Sequence, residues 1–376
     1  MKILAFSNEF PPYRGGISTY AAEMAIAASA LGAEVTMVVP DYGKDLSAAD
    51  KAEYPFEIIR YAGGQHAAKD TFRKVALVGE VLKGRRFDVV HAMDWPFYIP
   101  VGLRARHLPR IITVHGSEIF SMAGRAKRTA MALTGTLSGD VRIVGNSLFT
   151  ENLFRRFFPA VSADKVSHQL LGVGDSWLSH QAPPDARAQL GLPADKIIIL
   201  TLARLTRRKG HLTVLEALRQ VDPTLQDRLL YVIAGTGNES DYLADLDRSM
   251  ANLPVEVRRL EGLPNDAVKN LCAASDMFCL PGAHVSNNLV EGFGLVFLEA
   301  GAQHLPSIAG DIGAVGEVVE DGIGGLMVPT DDPTSLARAI ETLARDPDLR
   351  ARLATGARQR AELLTWKRCA AATYRL

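Results

Sequence analysis

Glu291-Gly-Phe-Gly-Leu-Val-Phe-Leu-Glu299 sets two carboxylates eight positions apart around a glycine-bracketed turn. The second acid falls inside Leu295–Ala302, a run otherwise apolar or small that reads as a buried helix. A carboxylate there is costly unless a specific group pairs with it. A diol, such as the ribose of a nucleotide, is one such partner. The Gly292-Phe293-Gly294 turn brings the free N–H groups of the helix's first turn close to a phosphate, and the helix dipole favours the anion. The segment therefore reads as a nucleotide site at the start of a helix.

Outward from this segment, short β-branched runs alternate with longer amphipathic ones, the pattern of parallel sheets wrapped by helices. In the first half the expected strands are Ile3–Phe6, Glu34–Val39, Phe56–Arg60, Val89–Ala92, Arg110–Val114 and Val141–Gly145, with helices such as Ser18–Leu31 and Ala68–Leu82 between them. In the second half they are Ile197–Leu202, Leu229–Ala234, Val255–Leu260, Met277–Leu280, Ser307–Ala309 and Gly325–Val328. Helices near His211–Arg219, Ser240–Met250, Asn265–Ala274 and Leu295–Ala302 separate them. Residues 172–195 are rich in Gly, Pro and Asp, which marks a linker and places a boundary near 175. The fold class is α/β, with doubly wound domains at 1–174 and 175–360. Facing each other, such domains present the carboxyl ends of their strands, where ligands bind, to a shared cleft.

The length and the 47% hydrophobic content suit two separate cores. Lys+Arg and Asp+Glu both number 42, so the net charge is zero and nothing points to nucleic acid. Residues 1–170 carry 21 basic and 16 acidic side chains, net +5, and the remainder carries 21 and 26, net −5. A mildly basic first half suits an anionic membrane or a lipid-phosphate acceptor, although ordinary scatter gives the same count. Lys69, Arg73, Lys74, Lys83, Arg85, Arg86 and the run Arg125-Ala-Lys127-Arg128 are interleaved with apolar residues such as Phe72 and Leu82. Such helices can lie on anionic lipid, and surface helices packed on a sheet look the same.

Cys272, Cys279 and Cys369 are too few for a disulfide framework, which suggests a reducing, cytoplasmic compartment. The chain opens on a strand at Lys2–Phe6, so no signal peptide is expected. No apolar stretch reaches the roughly 20 residues that span a bilayer. The expectation is a cytoplasmic protein, at most peripheral at the inner face of a membrane.

Arg204 and Lys209 flank a basic loop between a strand and a helix. Departure of a nucleoside diphosphate leaves growing negative charge, and fixed cations can stabilise it without a metal. On spacing alone the loop reads equally as a solvated basic stretch. His115 ends the strand Arg110–Val114 before a glycine, which is well placed to direct an imidazole into a cleft, although a lone histidine is more often structural. Tyr13-Arg14-Gly15-Gly16, between the first strand and helix, reads as a phosphate-approaching loop or a bare turn. Asp94 ends another strand, where it could touch an acceptor. Asp245-Leu-Asp247 lies in a polar helix, where charge is usually a solvated face, and His91 with Asp94 makes no closed metal set.

Glu-x7-Glu together with Arg204-Leu-Thr-Arg-Arg-Lys209-Gly210 resembles the retaining glycosyltransferases of family 4, which have the two-domain GT-B fold, and the likeness runs from the Gly15-Gly16 loop to Trp366. It is similar to bacterial mannosyltransferases of that family. The resemblance implies a metal-independent hexosyltransferase without a cofactor, using a nucleoside diphosphate sugar and a glycan or lipid-linked acceptor, in cell-surface polysaccharide or glycolipid synthesis. It assigns Glu299 to the ribose hydroxyls, Glu291 to donor-sugar hydroxyls, Arg204 and Lys209 to the diphosphate, and His115 to the neighbourhood of the reacting centre. Gly292 and the amides of Phe293, Gly294 and Leu295 are expected to cradle the diphosphate. Gly15, Gly16, Gly235 and Leu263 are expected to line the donor site, with Tyr13, Arg14 and Asp94 on the acceptor side. Gly292 after the first acid resembles users of GDP-mannose, where many users of UDP-sugars carry Ser. The final helix, about 361–376, is expected to return to the first domain. Glu291 also reads as a helix N-cap, worth about 1 kcal/mol, and Glu299 as half of a buried ion pair. The alternatives are a UDP-sugar-using glucosyl- or N-acetylglucosaminyltransferase of the same fold, a UDP-sugar epimerase, and a non-catalytic nucleotide-sugar binding protein.

Overall fold

A computed structural model of the chain describes residues 1–64, 70–285 and 292–376. Glu291 and Lys69 lie outside the described residues. The chain forms two compact units, Met1–Gly172 with Trp366–Leu376, and Val173–Thr365.

Unit 1 holds strands β1 (Lys2–Phe6), β2 (Glu34–Pro40), β3 (Glu57–Tyr61), β4 (Val89–Ala92), β5 (Arg110–Val114), β6 (Val141–Gly145) and β7 (Val166–His168). They form one sheet in the order β3-β2-β1-β4-β5-β6-β7 with every pair parallel. Ile3, Leu4, Ala5 and Phe6 have no exposed surface, as expected of a central parallel strand covered on both faces. β7 escapes the sequence pattern because it is a three-residue edge strand in which only Val166 is buried.

Unit 2 repeats the plan with β8 (Ile197–Leu202), β9 (Leu229–Ala234), β10 (Glu256–Leu260), β11 (Met277–Leu280), β12 (Ser307–Gly310) and β13 (Gly325–Val328). Their order is β10-β9-β8-β11-β12-β13, again all parallel. In both sheets the order reverses beside the first strand, between β1 and β4 and between β8 and β11. That is the crevice where open α/β sheets take their ligands.

The helices Ser240–Met250, Asn265–Ala274 and Leu295–Ala302 occupy the expected residues. The helix Pro333–Arg345 starts where it does because Asp332 accepts the Ser335 amide at 3.0 Å and proline fills the first turn, where no amide is needed. Its buried Leu336, Ile340 and Leu343 follow helical spacing and join the core of unit 2. The return to unit 1 comes at Trp366, later than the expected 361. The helix Pro347–Leu363 packs closely on Leu295–Ala302, where a Cβ on Gly301 would lie 2.7 Å from the Ala357 carbonyl, and this holds it in unit 2. Among the described residues, no helix is long and apolar enough to cross a membrane.

Candidate active site

In unit 2, β8 closes at Leu202, two residues before Arg204, so Arg204 stands in the loop beyond the strand rather than at its end. Its side chain is exposed and, among the described residues, forms no ion pair. The chain then makes a tight turn, Arg207–Lys209, and Gly210 adopts φ 75° to start the helix His211–Gln220. A Cβ on Gly210 would lie 2.3 Å from the Gly282 carbonyl, so this position accepts no side chain without displacing the loop after β11. The Ala283 amide also donates to the Arg208 carbonyl at 3.0 Å. The basic turn after β8 is thereby fastened to the loop after β11, across the switch point.

Gly235, after β9, has φ 152°, and a Cβ there would come within 1.9 Å of the Ala203 carbonyl. The backbones of the two loops touch just before Arg204. Gly294 takes φ 89° as the N-cap of Leu295–Ala302 and brings no side chain to cap that helix. The N-terminus of this helix is its anion-favouring end. Phe293 is buried, and Phe297 stacks edge-on to Phe278 of β11 at 5.5 Å, which sets the helix against the sheet. Glu299 is half-buried and lies near Cys272, whose thiol is pushed up by burial and by the Glu299 charge. Leu263 is half-buried in the loop after β10, beyond Gly262 at φ 68°.

Arg207 is not a free solvated cation. It pairs with Asp245 at 2.5 Å and lies over the Tyr242 ring. Asp245 also pairs with Arg248, and Asp247 pairs with Arg259 at 2.7 Å. Both acids of the Asp-x-Asp are thus committed to arginines. His211 is fully buried, and burial followed by the Lys209 charge lowers its pKa to about 4.

In unit 1, the ends of β1, β4 and β5 gather Asn8, Glu9, Asp94 and His115. Asp94 is buried at 3% exposure; its Oδ2 accepts the Asn8 amide at 2.8 Å, and its Oδ1 has no partner among the described residues. Burial foremost, then the charges of Glu9 and Glu118, raises its pKa to about 8 against the opposing Asn8 hydrogen bond and Lys74. Lys74 does not face solvent as its helix pattern suggested: it is buried beneath the rings of Tyr61 and Phe97, at 5.7 and 5.5 Å.

His115 is half-buried, and its Nε2 lies 2.8 Å from the Met93 carbonyl. A carbonyl only accepts, so Nε2 carries a hydrogen and Nδ1 is the ring nitrogen left for another partner. Glu118 accepts the His115 amide, and Asn146 donates to its carbonyl at 3.3 Å. Ser147 caps the next helix by accepting the Thr150 amide at 3.1 Å, which gives the Asn146-Ser147 pair a local role. Gly15 is where the loop comes close to Glu9: a Cβ would stand 3.2 Å from Glu9 Oε2. Gly16 opens the uncapped helix Gly16–Ala30; Tyr13 stacks on Tyr42 at 6.1 Å, and Arg14 is exposed. No group of three or more His, Cys, Asp or Glu among the described residues could hold a metal ion.

Two family models match the chain: "Glycosyltransferase Family 4" over residues 14–172 and "Glycosyl transferases group 1" over residues 184–360. The chain belongs to the family 4 glycosyltransferases. A GDP-mannose-dependent alpha-(1-6)-phosphatidylinositol monomannoside mannosyltransferase of Mycolicibacterium smegmatis is 28% identical over 358 residues, 92% of this chain and 90% of the relative. A D-inositol 3-phosphate glycosyltransferase of Saccharomonospora viridis is 29% identical over 312 residues, 75% of this chain and 68% of that protein. The crystal structure of Anabaena HepE in complex with UDP matches with a TM-score of 0.76 at 19% identity, covering 100% of this chain and 98% of that one. This glycosyltransferase therefore has the GT-B fold, two Rossmann-like α/β domains.

In this family 4 glycosyltransferase, sequence reasoning passed over Glu9, Glu118 and Tyr20, which surround Asp94 and His115. Glu118 sits three residues after His115 and Glu9 six before Gly15, but their bearing on Asp94 depends on contacts among the segments that follow β1, β4 and β5.

Proposed function

We propose that this glycosyltransferase moves a hexose, mannose from GDP-mannose, to a hydroxyl of a glycan or lipid-linked acceptor, with retention of configuration and without a metal. The observation that carries the reading is the fastened basic turn of unit 2. Arg204 stands exposed beside the Gly235–Ala203 contact, and the Lys209 turn is tied to the loop after β11. Rigid cations at a switch point are what a departing diphosphate needs, because preorganised charge stabilises the transition state without reorganisation.

Glu299 holds the ribose and the helix N-terminus at Gly294 receives the phosphate. From unit 1, His115 offers Nδ1 to a sugar hydroxyl. Asp94 presents its unpartnered Oδ1 to the acceptor. The mannosyl assignment is supported by Gly292 and by the printed name of the Mycolicibacterium relative.

The test is a thermal-shift panel of GDP, UDP and ADP with their sugar conjugates, in EDTA, on the wild type and Glu299→Ala. A ligand at a hundred times its dissociation constant adds about 2.7 kcal/mol. GDP and GDP-mannose are expected to stabilise the wild type and not the variant. Stabilisation by UDP-sugars alone transfers the enzyme to the other donor class, and stabilisation that appears only when Mg²⁺ replaces EDTA refutes metal independence.

A further inference from the structure

We infer that Tyr20, Thr113, His91 and Tyr374 are positioning residues through which the helix Trp366–Tyr374 holds the imidazole of His115 in its working orientation. The inference rests on the reading that His115 acts in sugar transfer.

Tyr20 is the hub. Its ring stands edge-on to His115, with centroids 5.0 Å apart and planes at 79°. Trp366, the first residue of the final helix, meets the same ring at 6.0 Å. The Tyr20 hydroxyl lies 2.8 Å from Thr113 Oγ1, and that oxygen lies 2.8 Å from His91 Nε2. His91 Nδ1 in turn lies 2.8 Å from the hydroxyl of Tyr374, at the other end of the same helix. The helix therefore grips Tyr20 twice, by packing through Trp366 and by hydrogen bonds relayed from Tyr374.

All of these groups are buried: Tyr20, His91, Thr113, Trp366 and Tyr374 are each 3% exposed or less. An apolar core would hold these elements together without desolvating two tyrosines, a threonine and a histidine. What a connected polar chain adds is a single set of rotamers, because each hydroxyl must aim at its neighbour. Burial lowers the pKa of His91 to about 3, so the ring is neutral and one nitrogen donates while the other accepts. The chain of hydrogen bonds consequently runs in one direction at a time, and shifting one member shifts the next.

His115 needs such a support. Its hydrogen bond to the Met93 carbonyl fixes one ring nitrogen but not the plane of the ring. The edge of Tyr20 supplies the second constraint.

Tyr374→Phe tests this, because it removes one hydroxyl and keeps the ring. The first readout is the Cε1 proton resonance of His115 in the unliganded protein, assigned by its loss in His115→Gln. It is expected to move in Tyr374→Phe as the Tyr20 ring current shifts. An unchanged resonance in the folded variant overturns the inference.

The second readout is consumption of GDP-mannose. Tyr374→Phe is expected to lower kcat roughly tenfold, since misplacement of a catalytic group by about 1 Å can cost a hundredfold, with the Kd for GDP unchanged. In a His115→Ala background the same substitution is expected to have no further effect, and full additivity refutes the coupling. Should the wild type turn over no nucleotide sugar, the proposed function fails while the resonance still decides the positioning. Should Tyr374→Phe not fold, Tyr20→Phe cuts the chain at its other end and carries both readouts.

Discussion

Replacing Asp94 with asparagine should remove a specific pH dependence from the stability of unit 1. The Asp94 carboxyl is raised from the ordinary 3.8 to about 8, foremost by burial. A carboxyl raised in the folded state gives stability that is fully present below its unfolded value and is lost as pH rises through the folded one. Between about pH 4 and pH 8 the folded protein therefore holds one proton more than the unfolded chain at this site. Unfolding free energy then falls by about 1.36 kcal/mol per pH unit from Asp94 alone. From pH 5 to pH 7 the loss is about 2.7 kcal/mol. Asp94→Asn keeps an oxygen for the Asn8 amide and cannot ionise. Subtracting the variant from the wild type cancels titrations common to both. Urea unfolding is followed by fluorescence in a Trp177→Phe background, where the remaining tryptophans, Trp95 and Trp366, both belong to unit 1. The wild type should lose about 1–3 kcal/mol more than the variant between those pH values. Parallel pH profiles, within about 0.5 kcal/mol, would show that the buried carboxyl is not holding a proton and that the argument from burial is wrong.

Arg204→Ala should leave the melting temperature nearly unchanged, within about 0.5 kcal/mol as for an exposed side chain, while lowering donor turnover roughly a hundred- to a thousandfold; a large loss of stability with little loss of rate would make Arg204 structural. Gly235→Ala places a methyl 1.9 Å from the Ala203 carbonyl at φ 152°. It should cost about 1–3 kcal/mol and weaken GDP binding through the displaced Arg204 loop, both visible in one thermal-shift titration; unimpaired binding would show that the β8–β9 loop contact does not set the site.

The strands were legible because parallel strands buried on both faces are written as continuous apolar runs, as in Ile197–Leu202 and Leu229–Ala234. The helix Leu295–Ala302 was legible from the glycine before it and the small and apolar residues within it. β7 was not, since Val166-Ser-His168 has one buried residue and its pairing with β6 is a tertiary matter. The basic turn showed the same limit. Four cations in Arg204–Lys209 look alike in sequence, and only the fold shows that Arg207 is engaged by Asp245 while Arg204 stands exposed. Lys74 looked like a surface charge on an amphipathic helix, yet it is covered by Tyr61 and Phe97 from other elements. Asp94 was visible as a strand-end acid, but its raised pKa comes foremost from burial by the surrounding fold, then from Glu9 after β1 and Glu118 after β5. The His91–Tyr374 bond joins residues 283 positions apart, beyond any local pattern.

That long bond has a consequence for synthesis. Residues 1–172 leave the ribosome before residues 173–365, and only then does the helix that completes unit 1 appear. At about 5–20 residues per second, the wait is roughly 10–40 s. During that interval the groove awaiting Trp366 and Tyr374 lies open, with Tyr20 and His91 uncovered. Unit 2, contiguous in the chain, can finish while unit 1 is still missing its last piece. A chain cut off before Trp366 would carry a first unit without its closing helix.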